Sequence, residues 1–166
     1  AFGQVHGVTL FMTLMAAFKV LLYRYSGQTD LLVGTPVANR TQRDTEHLVG
    51  FFVNTLVLRD VVEPGGDFLQ LLQQVKRTEL DAHDHQDIPF DHLVEHLNPT
   101  RSLSHAPLFQ VMFALQNAPS HGLVLDGLQP TLLESDVRTA KFDLTLSVEA
   151  RGETLACDWE YSRSEE

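Results

Sequence analysis

The sequence predicts an α+β fold, an α/β sandwich in which helices pack on one face of a mixed sheet. Two observations predict it: helical and strand-like segments mix over residues 9–97, and residues 108–161 read mainly as strands. A chain of 166 residues can bury one sizeable core. We therefore expect one domain, or one lobe of a larger domain.

Three segments have helical signals. The first lies between Thr9, a typical N-cap, and Gly27, a typical left-handed C-cap, and its apolar residues cover most of the circumference, which predicts a buried helix. The second, over 68–82, follows a Pro-Gly-Gly turn and has Asp67 as its N-cap. The third, near 89–97, places apolar residues at i, i+3, i+4 and i+7.

Strands are predicted at 31–37, 51–59, 108–116, 142–150 and 154–161, with weak ones near 123–125 and 131–133. The segments at 142–150 and 154–161 alternate around Gly152 and predict a hairpin. In the last strand, Cys157 and Trp159 lie on the apolar face, so we expect a packed core thiol and a core indole.

Composition excludes several classes of function. A formal net charge of -10 makes nucleic acid and anionic membrane surfaces poor partners. The most apolar stretch, 10–25, is short for a membrane span and carries Lys19 and Arg24, which favours a core helix. One cysteine gives neither an internal disulfide nor a cysteine-based zinc site. The sequence has no initiator Met at Ala1, so we expect that it is cut from a longer chain. We also expect a cytoplasmic protein.

Three segments, in consistent order and spacing, resemble the late core motifs of nonribosomal peptide synthetase condensation domains. Residues 50–59 (GFFVNTLVLR) resemble the GxFVNTxxxR motif, and 85–91 (HQDIPFD) resemble HQDxPFE with Asp91 in place of Glu. Residues 101–110 (RSLSHAPLFQ) resemble the final motif, an Arg-Ser followed by Pro-Leu-Phe-Gln. Shorter matches at 9–12, 27–30, 34–40 and 141–144 extend the resemblance over nearly the whole chain.

The resemblance implies a chloramphenicol-acetyltransferase-like lobe, one of two that enclose a tunnel. Carrier proteins bring two phosphopantetheine-tethered thioesters to that tunnel, and the acceptor amine attacks the donor carbonyl to form an amide. We expect residues 1–166 to be the C-terminal lobe, with no cofactor bound to the chain itself. Its expected partners are the N-terminal lobe, peptidyl carrier proteins and an adjoining adenylation domain, without nucleic acid or membrane.

The catalytic histidine is expected elsewhere, because the family's HHxxxDG motif belongs to the N-terminal lobe. The segment 83–87 (HDHQD) places a His four residues before an Asp, but Ala82 replaces the first His of the motif and Ile88 replaces its Gly. We therefore predict no catalytic residue in this chain and no condensation activity from it alone.

Asn54, with Val53 and Thr55, is the candidate substrate-channel segment. In an alternating strand Asn54 shares a face with apolar residues, where an amide needs partners. Two interpretations stay open: Asn54 orients a substrate carbonyl or pantetheine amide, or it ties two backbone segments together.

The other motif residues are expected to be structural: Gly50, Arg59, His85, Gln86, Asp87, Pro89, Phe90, Arg101, Ser102 and Pro107. Asp87 is the predicted N-cap of the third helix. Arg59 and Arg101 are expected to form ion pairs or to bind loop carbonyls.

Three alternatives compete with this interpretation. Residues 92–96 (HLVEH) spell the HxxEH pattern of inverzincin peptidases, but His92 and His96 lie opposite the apolar helix face, and a catalytic site also needs a third ligand and a dry cleft, so we expect no metal. An acyltransferase of the same fold outside this family is disfavoured by the three motifs. A non-catalytic scaffold that binds carrier proteins is the third, and an exposed inter-lobe surface predicts an apolar patch and self-association.

Overall fold

The computed structural model describes residues 2–39, 48–50, 52–99, 106–116 and 139–163. Its helices are α1 (Phe2–His6), α2 (Leu10–Ser26), α3 (Phe68–Asp84) and α4 (Phe90–Leu97). Its strands are β1 (Asp30–Val37), β2 (Asn54–Val61), β3 (Val111–Gln116), β4 (Leu144–Arg151) and β5 (Thr154–Tyr161).

The five strands form one mixed sheet in the order β2-β1-β3-β4-β5. The outer pairs, β1 with β2 and β4 with β5, are antiparallel, whereas β3 runs parallel to both β1 and β4. Helices α2 and α3 pack together against this sheet. The predicted α+β class is confirmed.

The predicted caps set the ends of the two long helices. Thr9 Oγ1 accepts the backbone N–H of Met12 at 3.1 Å, and Gly27 ends α2 in the left-handed region at φ 70°. Asp67 accepts the N–H of Leu69 at 3.1 Å at the start of α3. Both predicted helix starts are therefore confirmed.

The core lies between these helices and one face of the sheet. Met15 and Phe18 of α2 and Leu72 of α3 are almost fully buried against alternate residues of the strands. The strand residues of this face are Leu31, Val33, Leu58, Phe113, Leu146 and Val148. Burying each of these side chains stabilises the fold by about 1.5–3 kcal/mol.

A buried ion pair lies in this core. Lys19 of α2 is fully buried, and its Nζ donates to the carbonyl of Leu58 at 2.8 Å and to the carboxylate of Asp60. Thr78 of α3 donates to the other oxygen of Asp60 at 2.7 Å. Burial lowers the pKa of Lys19, and Asp60 opposes that shift. One polar network therefore joins α2, β2 and α3.

The predicted burial of β5 is wrong. Cys157 is exposed and Trp159 retains 48% of its accessible surface. Among the described strands β5 pairs only with β4, and the ring of Phe18 reaches Trp159 at 6.0 Å between centroids. Strand alternation correctly predicted which residues share a face, but it could not show that α2 and α3 leave the outermost strand largely uncovered.

Smaller differences concern element ends. The strand predicted from 108 begins at Val111, because Leu108 has φ 69° and the N–H of Phe109 turns back to the carbonyl of Pro107. Helix α1 was not predicted. The weak strands at 123–125 and 131–133 lie outside the described residues.

None of the described helices combines the length and apolar character that a bilayer span needs.

Candidate functional site

Asn54 joins the start of β2 to the turn between α3 and α4. Its Nδ2 donates to the carbonyls of Gln86 and Ile88, both at 2.8 Å, and its Oδ1 accepts the N–H of Phe90 at 3.1 Å. These are the contacts that the structural interpretation of Asn54 requires. Its role in a substrate channel stays a prediction.

The predicted capping role of Asp87 is wrong. Asp87 is exposed, the N-cap position of α4 is held by Pro89, and no side chain caps the helix from that position. The N–H of Phe90 instead binds Asn54, which is 36 residues away along the chain. A cap supplied by a distant strand leaves no local sequence signal, whereas Asp87 carries the local signal without making the contact.

Val37, the strand partner of Asn54, and Leu56, on the same face of β2 as Asn54, line a cavity of about 330 Å³. It is bounded by the N-terminus of α2, the C-terminal half of α3 and the ends of β1 and β2. Its apolar lining residues are Leu10, Phe11, Pro36, Val37, Leu56, Leu58 and Leu115, and its polar ones are Thr9, Thr35, Glu79 and His83. Three family-like segments, at 9–12, 34–40 and 50–59, therefore meet at its wall, and the segment at 85–91 closely follows His83.

Polar side chains also line the cavity. Thr35 is 4% exposed. Glu79 and His83 lie one helical turn apart on α3. Burial raises the pKa of Glu79, and the nearby His83 opposes that shift. The cavity thus has an apolar wall with an acidic group in its lining.

An aromatic cluster of Phe90, Phe109 and Phe142 packs against β1. The ring of Phe109 lies 5.6 Å from that of Phe90 and 5.2 Å from that of Phe142, between centroids. A Cβ atom on Gly34 would lie 2.3 Å from the Phe109 ring. Only glycine therefore allows this ring to approach β1, and the cluster fixes four family-like segments relative to one another.

The remaining predicted residues are dispersed. Thr55 pairs with Pro36 and lies on the face of β2 opposite Asn54, while Val53 precedes the strand and is 49% exposed. The three predicted channel residues therefore do not share one face.

At Gly50, a Cβ atom would lie 3.0 Å from the ring of Phe52.

Arg59 forms an ion pair, which is one of the two structural roles expected of it. Its Nε and Nη2 bind the two carboxylate oxygens of Asp30 at 2.9 and 2.7 Å. Both side chains are exposed, and the hydrogen bonds from Arg59 lower the pKa of Asp30. The pair joins β1 to β2 at the sheet edge.

Two other parts of the motifs have structural contacts. His85 Nδ1 lies 2.8 Å from the carbonyl of Asp81 at the C-terminus of α3. Pro107 accepts the N–H of Phe109 at 2.9 Å. Arg101 and Ser102 lie outside the described residues.

Sequence reasoning missed Thr35, Asn39, Glu79 and His83. The i, i+4 spacing of Glu79 and His83 is visible in the sequence, but their position above a cavity is not. Asn39 has φ 47°, and its Oδ1 is buried without a hydrogen-bond partner in the described structure. Within the described ranges no group of three or more His, Cys, Asp or Glu could hold a metal ion, and His92 and His96 are exposed.

Comparison with known proteins gives consistent matches. The model of the Condensation domain family matches residues 1–165. A linear gramicidin synthase protein of Brevibacillus parabrevis is 51% identical over 164 residues, which are 98% of this chain and 3% of that protein. Malpinin synthetase of Mortierella alpina is 48% identical over 160 residues, which are 96% of this chain and 2% of that protein. The chain thus spans only a few per cent of the length of such relatives.

Two solved structures are similar in fold. The X-domain from teicoplanin biosynthesis has a TM-score of 0.81 at 26% identity, over 90% of this chain and 34% of that one. A four-domain nonribosomal peptide synthetase bound to AMP and glycine has a TM-score of 0.80 at 27% identity, over 93% of this chain and 13% of that one.

Proposed function

Because the chain belongs to the condensation domain family, we propose that it works as the C-terminal lobe of a condensation domain in a nonribosomal peptide synthetase. The match over residues 1–165 supports the family role, and the match to the X-domain covers 34% of that chain, so the matched region is one part of a larger structure there. The HHxxxDG motif does not occur in the 166 residues. The catalytic histidine would come from an N-terminal lobe.

The proposed reaction joins two tethered substrates. The acceptor amine attacks the donor thioester carbonyl, the new C–N bond forms, and the C–S bond breaks to release the thiol of the donor's phosphopantetheine arm. The amine proton leaves through a base of the other lobe and finally protonates the thiolate. Phosphopantetheine belongs to the carrier proteins, and this lobe supplies walls that hold both substrates in reacting geometry.

One observation carries the proposal: the cavity beside Asn54 is where the family-like segments converge. Segments far apart in sequence form one wall there, and its lining includes a carboxylate and a hydroxyl. A substrate-binding wall accounts for both its shape and its polar groups. In this proposal Asn54 fixes the α3–α4 turn that closes the site.

A reconstitution experiment tests the role of the chain. We expect no amide product when the chain alone is mixed with donor and acceptor thioesters on carrier proteins. Adding a separately produced N-terminal lobe that carries HHxxxDG should restore product, which mass spectrometry detects. The N-terminal lobe alone, and the same lobe with its second His changed to Ala, are the controls.

Amide formation by the chain alone would overturn the proposed division of the active site. A second candidate is a scaffold that binds carrier proteins without chemistry. It predicts carrier-protein binding without product even when the N-terminal lobe is present. The proposed condensation-domain role also includes an adjoining adenylation domain and a cytoplasmic location.

The zinc peptidase alternative has no support among the described residues, where no group of three or more His, Cys, Asp or Glu could hold a metal ion.

A further inference from the structure

The cavity beside Asn54 combines two kinds of surface. Leu56 and Leu58 of β2, with Phe11 of α2, give it an apolar wall, whereas Glu79 adds a carboxyl group to its lining. Among the described titratable side chains that line it, Glu79 is accompanied only by His83. Such a cavity is complementary to a ligand with an apolar body and a nearby hydrogen-bond donor or cationic group.

The size of the cavity limits the ligand. A volume of about 330 Å³ is near the lower end of the usual range of ligand sites, roughly 300–1,000 Å³. This volume is sufficient for the side chain of one amino-acid residue. In an α-aminoacyl group the amine and the side chain are bonded to the same carbon. A residue whose side chain entered the cavity would therefore bring its amine close to the cavity lining, to which Glu79 belongs.

We propose that this cavity binds the apolar side chain of the acceptor aminoacyl group, and that the carboxylate of Glu79 binds its amino group. The inference rests on the proposed function, which supplies the aminoacyl thioester. The acceptor is the substrate concerned because its amine is free until the new bond forms. Glu79 is then a substrate-binding and specificity residue, whereas a base of the other lobe removes the amine proton.

Thr35 also lines the cavity, and it is 4% exposed. Its hydroxyl can donate a hydrogen bond to the thioester or amide carbonyl of a ligand in the cavity.

Binding of small acceptor mimics tests the inference on the full chain. The two probes are L-leucyl-pantetheine amide and 4-methylpentanoyl-pantetheine amide, which has the same side chain and no amine. We expect the chain to bind the amine-bearing probe about tenfold more tightly, the effect of one charge-assisted hydrogen bond. In Glu79→Gln this preference should disappear. A glycyl probe should bind more weakly than the leucyl probe because it leaves the apolar wall empty.

Glu95→Gln is the matched control, since Glu95 is an exposed carboxylate on α4 outside the cavity, and it should keep the preference. Equal binding of the two probes, unchanged by Glu79→Gln, would contradict the inference while pantetheine binding still supported the proposed function. Failure of both probes to bind would also contradict the inference. The reconstitution of amide formation then decides the proposed function separately.

Discussion

At the scale of single residues, the side-chain amide of Asn54 forms three hydrogen bonds with backbone groups of the α3–α4 turn. Asn54→Ala would leave two carbonyls and one N–H without these partners, so we expect a loss of roughly 2–4 kcal/mol in the free energy of unfolding. Urea denaturation measures this loss. Thr55→Ala, on the opposite face of β2, is the control and should cost much less.

The same variant separates the two interpretations of Asn54. Reduced stability with unchanged kinetics, measured in the chain reconstituted with an N-terminal lobe, would support a structural role. Unchanged stability with impaired turnover would contradict it and support a direct role in the substrate channel.

Gly34 lies so close to the Phe109 ring that no side chain fits at this position. Because a Cβ at this position would lie 2.3 Å from the Phe109 ring, we expect Gly34→Ala to destabilise the chain by about 1–3 kcal/mol. In a Phe109→Leu background the same change should cost clearly less, since the ring is gone. Denaturation of the four proteins of this cycle measures the coupling. Equal costs in both backgrounds would mean that the ring is not the obstacle.

Glu79 should make stability depend on pH. Its pKa in the folded chain is raised above the ordinary value of 4.5, so the folded state favours the protonated form. Its contribution to stability is therefore fully present below pH 4.5 and is lost as pH rises through the raised pKa. Glu79→Gln should gain stability relative to wild type as the pH rises from 4.5 through the raised pKa of Glu79. Repeating the comparison in a His83→Gln background removes the neighbouring imidazole, and no change in the difference with pH would contradict the prediction.

At the scale of elements, the Lys19–Asp60 pair holds α2 and α3 on the sheet. Removing one partner leaves the other charge buried, so Lys19→Met should cost about 3–5 kcal/mol in the free energy of unfolding. The double variant Lys19→Met/Asp60→Leu should recover much of that loss because no unpaired charge remains. Lys141→Met, at an exposed position, is the control and should change stability by no more than about 0.5 kcal/mol. A double variant as unstable as the single one would contradict this account.

The elements also show what sequence can and cannot predict. The caps at Thr9, Gly27 and Asp67 are local signals, and the structure has all three helix ends where they indicate. The cap supplied by Asn54 and the buried pair of Lys19 and Asp60 join residues 32 to 41 positions apart, so no local pattern contains them. Candidate residues could be named from the sequence because they belong to the family-like motifs. The cavity could not be predicted, because it depends on how α2, α3 and the sheet lie relative to one another.

At the scale of the whole molecule, coverage of the sheet is uneven. The helix-side row of β5 retains exposed apolar residues, Leu155, Trp159 and Tyr161. Within the described sheet this strand is at an edge, with β4 as its neighbour. An exposed apolar row on an edge strand favours association between chains or with another part of a larger protein. This surface is the physical basis for the expected self-association of the isolated chain.

We therefore expect the isolated chain to associate as its concentration rises, and sedimentation velocity measures this directly. Cys157 lies in the same row and is the only cysteine, so its rate of alkylation reports whether the row is covered. Alkylation should be fast in dilute solution and slower in concentrated solution. Trp159→Lys should reduce both association and protection, because a charge replaces the largest apolar side chain of the row. Leu97→Lys, at an exposed position on α4, should change neither. A monomer at every concentration, with Cys157 always reactive, would show that the uncovered row does not bind a second copy.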